Sequence, residues 1–493
     1  MNKNTNHLIL LIKRLGIAFF VFTICRVLFY GFNRAHFPDV SLDLFLYGIR
    51  FDYVAIAYLY APVILLHTLP FPFKNYKWYH QFLTLTFYFV NTLAIAINLI
   101  DVAYFDFTLK RTTADFFGMI GTGDDFLKLL PHYIIDFWHN YLLFAGIFFL
   151  SWFINKKYCK AEKNFYSFTI KDYCIQTIVF ILFVAFTLLG MRGGFQYRPI
   201  NIINAGQYAS AKNVPIVLNT PFTIIKTLFI NKVQPITYFS ESEIESIYTP
   251  KKSIKGNKMH QGKNVVLIIL ESFAKEYVGG YNNGKGYTPF IDSLLTKSYV
   301  FTNAYANSSR SIEALPCLLA GIPQLMLEPY VLSTYAGNKI QGFPEILKNE
   351  GYNTSFYHGG ANGTMGFNGF VGTAGIDNYF GINEYPTQEK DYDGLWGIFD
   401  EPYLQYFANE LNHKKEPFFS SIFTVSSHHP YTIPQEHVGK FPKGDLPLHE
   451  TVGYTDFSLK KFFDTAKKMP WFNNTLFIFT ADHSAYSRAP KYN

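Results

Sequence analysis

The hydrophobic pattern divides the chain in two. Up to residue 190 apolar positions come in long runs, and beyond residue 260 in short runs separated by polar turns. A helix needs about 20 largely apolar residues to cross the hydrocarbon of a bilayer. Five stretches meet that need: 8–32, 44–69, 82–104, 141–154 with the aromatic run before it, and 174–190. Without residues 133–138 the fourth is short, and the count falls to four. The first is too long for a secretory signal and lacks a small-residue cleavage site, so it reads as a retained span.

Beyond residue 260 the pattern is that of an α/β domain. Asn264-Val-Val-Leu-Ile-Ile-Leu270 is short, continuous and rich in β-branched residues, as buried parallel strands are. Similar runs occupy 354–357, 418–425 and 475–480, with helical patterns at 311–319, 342–349, 402–411 and 452–468. This alternation predicts a mostly parallel sheet. Between the halves, residues 214–233 are apolar but carry Pro215 and Pro221, which predicts an interfacial segment instead of a clean span. Lys251, Lys252, Lys255, Lys258 and Lys263 read as a solvated linker. The expected division is 1–190 transmembrane, 191–260 juxtamembrane and 261–493 catalytic.

Charge adds an orientation. The formal net charge of +7 over 493 residues comes largely from lysines flanking apolar segments, so no nucleic-acid partner is needed to explain it. Lys3, Lys13 and Arg14 precede the first span, and Lys74 and Lys77 follow the second. Lys156, Lys157, Lys160, Lys163 and Lys171 lie between the fourth and fifth. The alternate loops hold Arg34, then Lys110, Arg111 and Lys128 offset by Asp115, Asp124 and Asp125. Basic residues favour the cytoplasmic side, so five spans place the N-terminus inside and everything after Gly190 outside. Arg50, Asp52 and Asp101 then fall at similar depth near the outer boundary, as a structural ion pair or a contact to a lipid headgroup. Cys25, Cys159, Cys174 and Cys317 are too scattered for a disulfide framework.

Ligands of open α/β sheets bind beyond the carboxyl ends of the strands. Four predicted strands end there in chemistry-bearing residues: Glu271-Ser272, His358-Gly359-Gly360, Ser426-Ser427-His428-His429, and Asp482-His483. One such ending is ordinary; four at one rim point to a metal or phosphate site. Glu271, Asp482 and His483 offer two carboxylates and an imidazole, which suits Mg or Mn and also admits Zn. The nucleophile is expected among Ser308, Ser309 and Ser311, in a polar loop leading into a helix. Ser311 would stand at that helix's N-terminus, where backbone N–H groups favour an anion. Spacing leaves open whether any of the three is more than a helix cap. Arg310 is a candidate phosphate clamp or an ordinary surface arginine.

Taken together, the chain resembles the lipoteichoic acid synthase-like, phosphoglycerol transferase family: five spans followed by a sulfatase/alkaline-phosphatase-type domain. The resemblance rests on Asn264-Val-Val-Leu-Ile-Ile-Leu-Glu-Ser272, Ser309-Arg-Ser-Ile-Glu313 with Ala320-Gly-Ile-Pro323, and Phe356-Tyr-His-Gly-Gly360. It also rests on Trp396-Gly397 with Asp400, Thr424-Val-Ser-Ser-His428 and Thr480-Ala-Asp-His483. It implies that Glu271, Asp482 and His483 ligate manganese or magnesium and that Ser311 is the nucleophile touching the metal. It further implies that His428 contacts the transferred group as acid or base, and that His358 lines the pocket. The implied reaction moves a phosphatidylglycerol headgroup to the nucleophile and then to a glycan or polymer. The implied setting is the outer face of a bacterial cytoplasmic membrane.

Two departures stand out. Where the Gram-positive synthases place Trp and Arg after the pocket histidine, this chain reads Ala361-Asn-Gly-Thr-Met-Gly-Phe367. The chain also ends soon after Asp482-His483, where the family continues, so an incomplete catalytic domain is expected. A sulfatase would need a Cys-x-Pro-x-Arg motif, and Cys317 is followed by Leu318-Leu319. A phosphoethanolamine transferase or a lipid phosphodiesterase fits the same site, and an inactive membrane protein is the reading from a different class.

Overall fold

The computed structural model describes residues 6–37, 39–114, 116, 135–159, 169–230, 233, 237–249, 262–488 and 490–492. Lys3, Asp115, Asp124, Asp125, Lys128, Lys160, Lys163 and the lysines of the 251–261 linker lie outside them. The chain separates into two compact units, Met1–Ile230 with Leu332–Lys339, and Asn231–Val331 with Ile340–Asn493.

The first unit is helical: α1 (Asn6–Phe32), α2 (Asp43–Leu59), α3 (Ala61–Thr68), α4 (Lys77–Thr108), α5 (Trp138–Tyr158), α6 (Ile170–Arg192) and α7 (Thr220–Thr227). Among the described residues, α1, α4 and α6 are long and apolar enough to cross a membrane. The pair α2 and α3, bent by 60°, makes a fourth if it counts as one span. The bend falls where Pro62 opens α3, since proline cannot continue the hydrogen-bond ladder of the helix before it. Helix α5 occupies the fourth predicted span and has the length, but His139, Asn140, Ser151 and Asn155 dilute its apolar character. The basic positions share one end: Lys13 Nζ donates to Tyr158 O at 3.0 Å, and Arg14 reaches His67 and Thr84 at 2.9 and 2.7 Å.

At the other end the acidic residues are buried and paired, though not with Arg50. Asp52 forms an ion pair with Arg26 of α1 and accepts from Asn219 Nδ2 at 2.8 Å. The Arg26 guanidinium also donates to the carbonyls of Val217 and Leu218, at 2.8 and 3.0 Å. Asp101 accepts from Thr220 Oγ1 at 2.6 Å and lies 3.7 Å from Arg111. Arg50 instead donates to Tyr208 Oη at 2.7 Å. These bonds tie residues 216–220 to three helices, which is where their carbonyls and the Asn219 amide find partners.

The second unit is built on a parallel sheet of β1 (Asn264–Leu270), β2 (Asn353–His358), β3 (Asn378–Phe380), β4 (Phe418–Phe423) and β5 (Thr475–Ala481). Its order is β3-β2-β4-β1-β5, with every pairing parallel. Central β1 and β4 are buried almost throughout, so the chain spells them as continuous apolar runs without alternation. Helices α8 (Ser311–Ala320), α9 (Asp400–Leu411) and α10 (Leu448–Ala466) carry apolar faces, and Phe407 of α9 meets Tyr357 and Phe462 in the core.

Asp52→Ala is expected to leave the Arg26 guanidinium buried without its partner, at a cost of roughly 3–5 kcal/mol. Replacing both residues by leucine is expected to recover most of that loss. Thermal unfolding of the purified protein in detergent reads the difference, and an unchanged midpoint for Asp52→Ala contradicts a stabilising role for the pair.

Candidate functional site

A parallel sheet opens the carboxyl ends of all its strands on one rim. Register then decides which residues meet there. Leu270 of β1 pairs with Ala481 of β5, so the residues that follow, Glu271 and Asp482, leave neighbouring strands side by side. Both are buried, and Asp482 N donates to Leu270 O at 3.2 Å as the ladder's last bond. Ser272 then turns with φ of 56°, a left-handed backbone uncommon outside glycine. That turn aims its N–H at Asp482 Oδ1, at 2.8 Å, while its hydroxyl donates to Glu271 Oε1 at 2.8 Å. On the other side, Glu271 N donates to Thr424 Oγ1 at 2.9 Å, just past β4.

The loop before α8 separates the three serines. Ser308 donates its hydroxyl to the carbonyl of Asp482. Ser309 gives both its N–H and its hydroxyl to Glu313 Oε2, at 2.9 and 3.0 Å. Ser311 is the first residue of α8; its Oγ donates to Glu271 Oε2 at 3.0 Å and lies 3.2 Å from His483 Nε2. The His483 ring is oriented by Nδ1, which sits 2.9 Å from Ser484 O; an N–H there leaves the Nε2 lone pair facing Ser311. His483 Nε2 also lies 3.1 Å from Asp482 Oδ2 and 3.8 Å from Glu271 Oε1.

The donors of Glu271, Asp482 and His483 all lie within 4.8 Å of one another. Asp482 Oδ2 is buried and accepts no hydrogen bond, despite its short approach to His483. Burial, and after it the charge of Glu271, pushes the Asp482 carboxyl well above the usual carboxylate range. Two buried carboxylates with an imidazole lone pair turned toward them form a donor set that a divalent cation would satisfy.

The remaining predicted residues stand differently. The Arg310 guanidinium turns to Glu313, with Nε donating to Oε1 at 2.7 Å, so it braces the start of α8. Burial pushes the Glu313 carboxyl up, but hydrogen bonds from Ser309 and Arg310 outweigh it and hold it below its usual range. His358 closes β2, with its Nδ1 3.1 Å from Phe423 O; burial lowers its pKa to about 4, which keeps it neutral. His428 lies half-buried in the loop after β4. The structure thus gathers Glu271, Ser311, Asp482 and His483 directly, while no hydrogen bond among the described residues joins Arg310, His358 or His428 to them. Ser272, whose N–H and hydroxyl reach the two carboxylates, and Thr424, which holds the Glu271 backbone, are positioning residues that the motifs contained without marking. Their signal was a hydroxyl within two residues of a strand's carboxyl end.

A sulfatase family model matches residues 263–492. A lipoteichoic acid synthase-like protein, YvgJ, of Bacillus subtilis is 26% identical over 235 residues, covering 46% of this chain and 38% of that protein. The lipoteichoic acid synthase of Staphylococcus saprophyticus is 26% identical over 288 residues, covering 54% and 44%. The chain therefore spans less than half the length of these relatives. Among solved structures, an alkaline phosphatase superfamily protein of Vibrio parahaemolyticus is 30% identical with a TM-score of 0.42, covering 46% of this chain and 56% of that one. Residues 263–492 form a sulfatase-family domain.

Proposed function

We propose that the protein transfers phosphoglycerol from phosphatidylglycerol, through a covalent intermediate on Ser311, to a glycan or polymer acceptor outside the cytoplasmic membrane. The observation that carries this reading is the placement of Ser311 Oγ, 3.0 Å from Glu271 Oε2 and 3.2 Å from His483 Nε2, at the first turn of a buried helix. Relatives named as a lipoteichoic acid synthase and a lipoteichoic acid synthase-like protein support a polymer acceptor, and the family resemblance supplies the phospholipid donor.

In this account Glu271, Asp482, His483 and the Ser311 hydroxyl would hold the cation, with manganese or magnesium as the favoured ions. Such a cation would neutralise phosphate oxygens and lower the pKa of the serine hydroxyl. The protein's own groups do the rest. Ser272 fixes the two carboxylates, Thr424 holds the Glu271 backbone, and Ser484 O fixes the imidazole. The Ser311 oxygen attacks phosphorus from the N-terminus of α8, whose helix dipole favours the anionic group forming there. His428 gives a proton to the departing diacylglycerol oxygen and takes one from the acceptor hydroxyl. His358, neutral and buried, offers Nε2 to the headgroup. Arg310 contributes through Glu313 or by swinging to a phosphate. The apolar helices anchor the chain, and the reading keeps five spans, α5 included, with the N-terminus in the cytoplasm.

Full-length protein given headgroup-labelled phosphatidylglycerol and Mn is expected to carry label on Ser311, and Ser311→Ala to carry none. Label persisting in Ser311→Ala contradicts the assignment, while label from phosphatidylethanolamine alone would reassign the donor. A reporter enzyme fused after residue 260 is expected to be active only outside the cytoplasm. Cytoplasmic activity at that fusion overturns the orientation.

A further inference from the structure

Residues 393–400 bind the loops that carry both pocket histidines. Asp393 Oδ1 accepts from the N–H groups of Leu395, Trp396 and Gly397 at 2.7, 2.7 and 3.0 Å, which curls the segment. Gly397 pairs with Gly360, and Ile398 N donates to Gly359 O at 3.0 Å, just past His358. A Cβ on Gly397 would come within 2.3 Å of Gly359 O, so the contact requires glycine. Buried Asp400 accepts from Val425 N at 2.8 Å and from Thr455 Oγ1 at 2.7 Å, and its own N–H donates to Ser426 Oγ at 3.0 Å. The loop leading to His428 is therefore held on this side as well.

Trp396 stands between these anchors. Its ring centroid lies 4.1 Å from that of His428, and its Nε1–H donates to His429 O at 2.8 Å. His428 Nδ1 lies 2.9 Å from the same carbonyl. A carbonyl has two lone pairs and accepts both bonds. An Nδ1–H committed there leaves Nε2 as the nitrogen that meets a substrate, a donor when the ring is protonated and an acceptor when it is neutral.

We propose that Trp396 is a positioning residue: by sharing the His429 carbonyl with His428 and packing on its ring, it points His428 Nε2 at the leaving and entering oxygens. The inference rests on the phospho-transfer reading above. In the donor step the bond from Ser311 Oγ to phosphorus forms, and the bond to the diacylglycerol oxygen breaks with its electron pair. That oxygen takes the Nε2 proton of a protonated His428 ring, which is left neutral with its Nδ1–H on the His429 carbonyl. Ser311 attacks as the alkoxide, its own proton having passed to water. In the acceptor step the hydroxyl's proton goes to Nε2, its oxygen bonds to phosphorus, and Ser311 Oγ leaves with the electron pair.

A pair of donors separates positioning from folding. With full-length protein in lipid nanodiscs, one donor is headgroup-labelled phosphatidylglycerol, whose alkoxide leaving group needs a proton. The other is a p-nitrophenyl diester of glycerol phosphate, whose nitrophenolate leaves without one. Trp396→Phe keeps an aromatic ring and loses the N–H. It is expected to lower kcat for labelling of Ser311 from the lipid about tenfold, with KM within about twofold, and to label at the parent rate from the nitrophenyl donor. His428→Gln is expected to show the same split, more strongly. Equal slowing of Trp396→Phe on both donors, or no slowing on the lipid, overturns the proposal. Failure of the parent protein to label Ser311 from either donor instead defeats the phospho-transfer reading itself.

Discussion

Two acids on adjacent parallel strands, buried at matching positions, are the constraint from which the catalytic unit follows. The register of β1 on β5 leaves no freedom: once Leu270 faces Ala481, Glu271 and Asp482 must emerge together. Like charges out of water and this close repel, and an unpaired buried carboxylate is costly. The surroundings answer in kind. Ser272 adopts a left-handed turn to give Asp482 an N–H, the first turn of α8 brings the Ser311 hydroxyl to Glu271, and His483 turns its Nε2 inward. A divalent cation would complete that arrangement better than any side chain present.

The chain spelled out this centre because β1 is buried almost throughout and β5, although half-exposed at the sheet edge, is written in the same apolar residues. Asn264–Leu270 was readable to the residue, and Thr475–Ala481 ran one residue past the expected end, since unbroken apolar runs closed by an acid mark both strand and rim. The edge strand Asn378–Phe380 was not readable, because three half-exposed residues carry no period. The helix Phe367–Thr373 was hidden by the glycines of its segment. Spacing could not rank Ser308, Ser309 and Ser311, which differ only in what each hydroxyl reaches across the fold. Arg310 drew attention as a phosphate clamp because its partner Glu313 lies one helical turn onward, a contact that is visible only once α8 is formed.

In the helical unit, sequence showed the apolar runs but not their chemistry. Arg26 sits inside an apolar stretch where hydropathy averages it away, yet it is the partner of Asp52. The expected polar layer exists, but as a satisfied ion-pair seam that holds residues 216–220. Pro215 and Pro221 shape that segment as two short helices instead of one, each opened by a proline at its start. Helix α5 shows why a count of spans is sensitive to a few polar residues: its length is sufficient, and Ser151 and Asn155 find side-chain partners on α4.

Metal binding tests the central claim most directly. Titration of the purified full-length protein with Mn, followed by electron paramagnetic resonance, is expected to show one tightly held ion per chain. Asp482→Asn is expected to weaken its binding by roughly a hundredfold or more. Binding of equal strength in the parent and Asp482→Asn proteins, or no held ion in either, would contradict a cation gripped between β1 and β5.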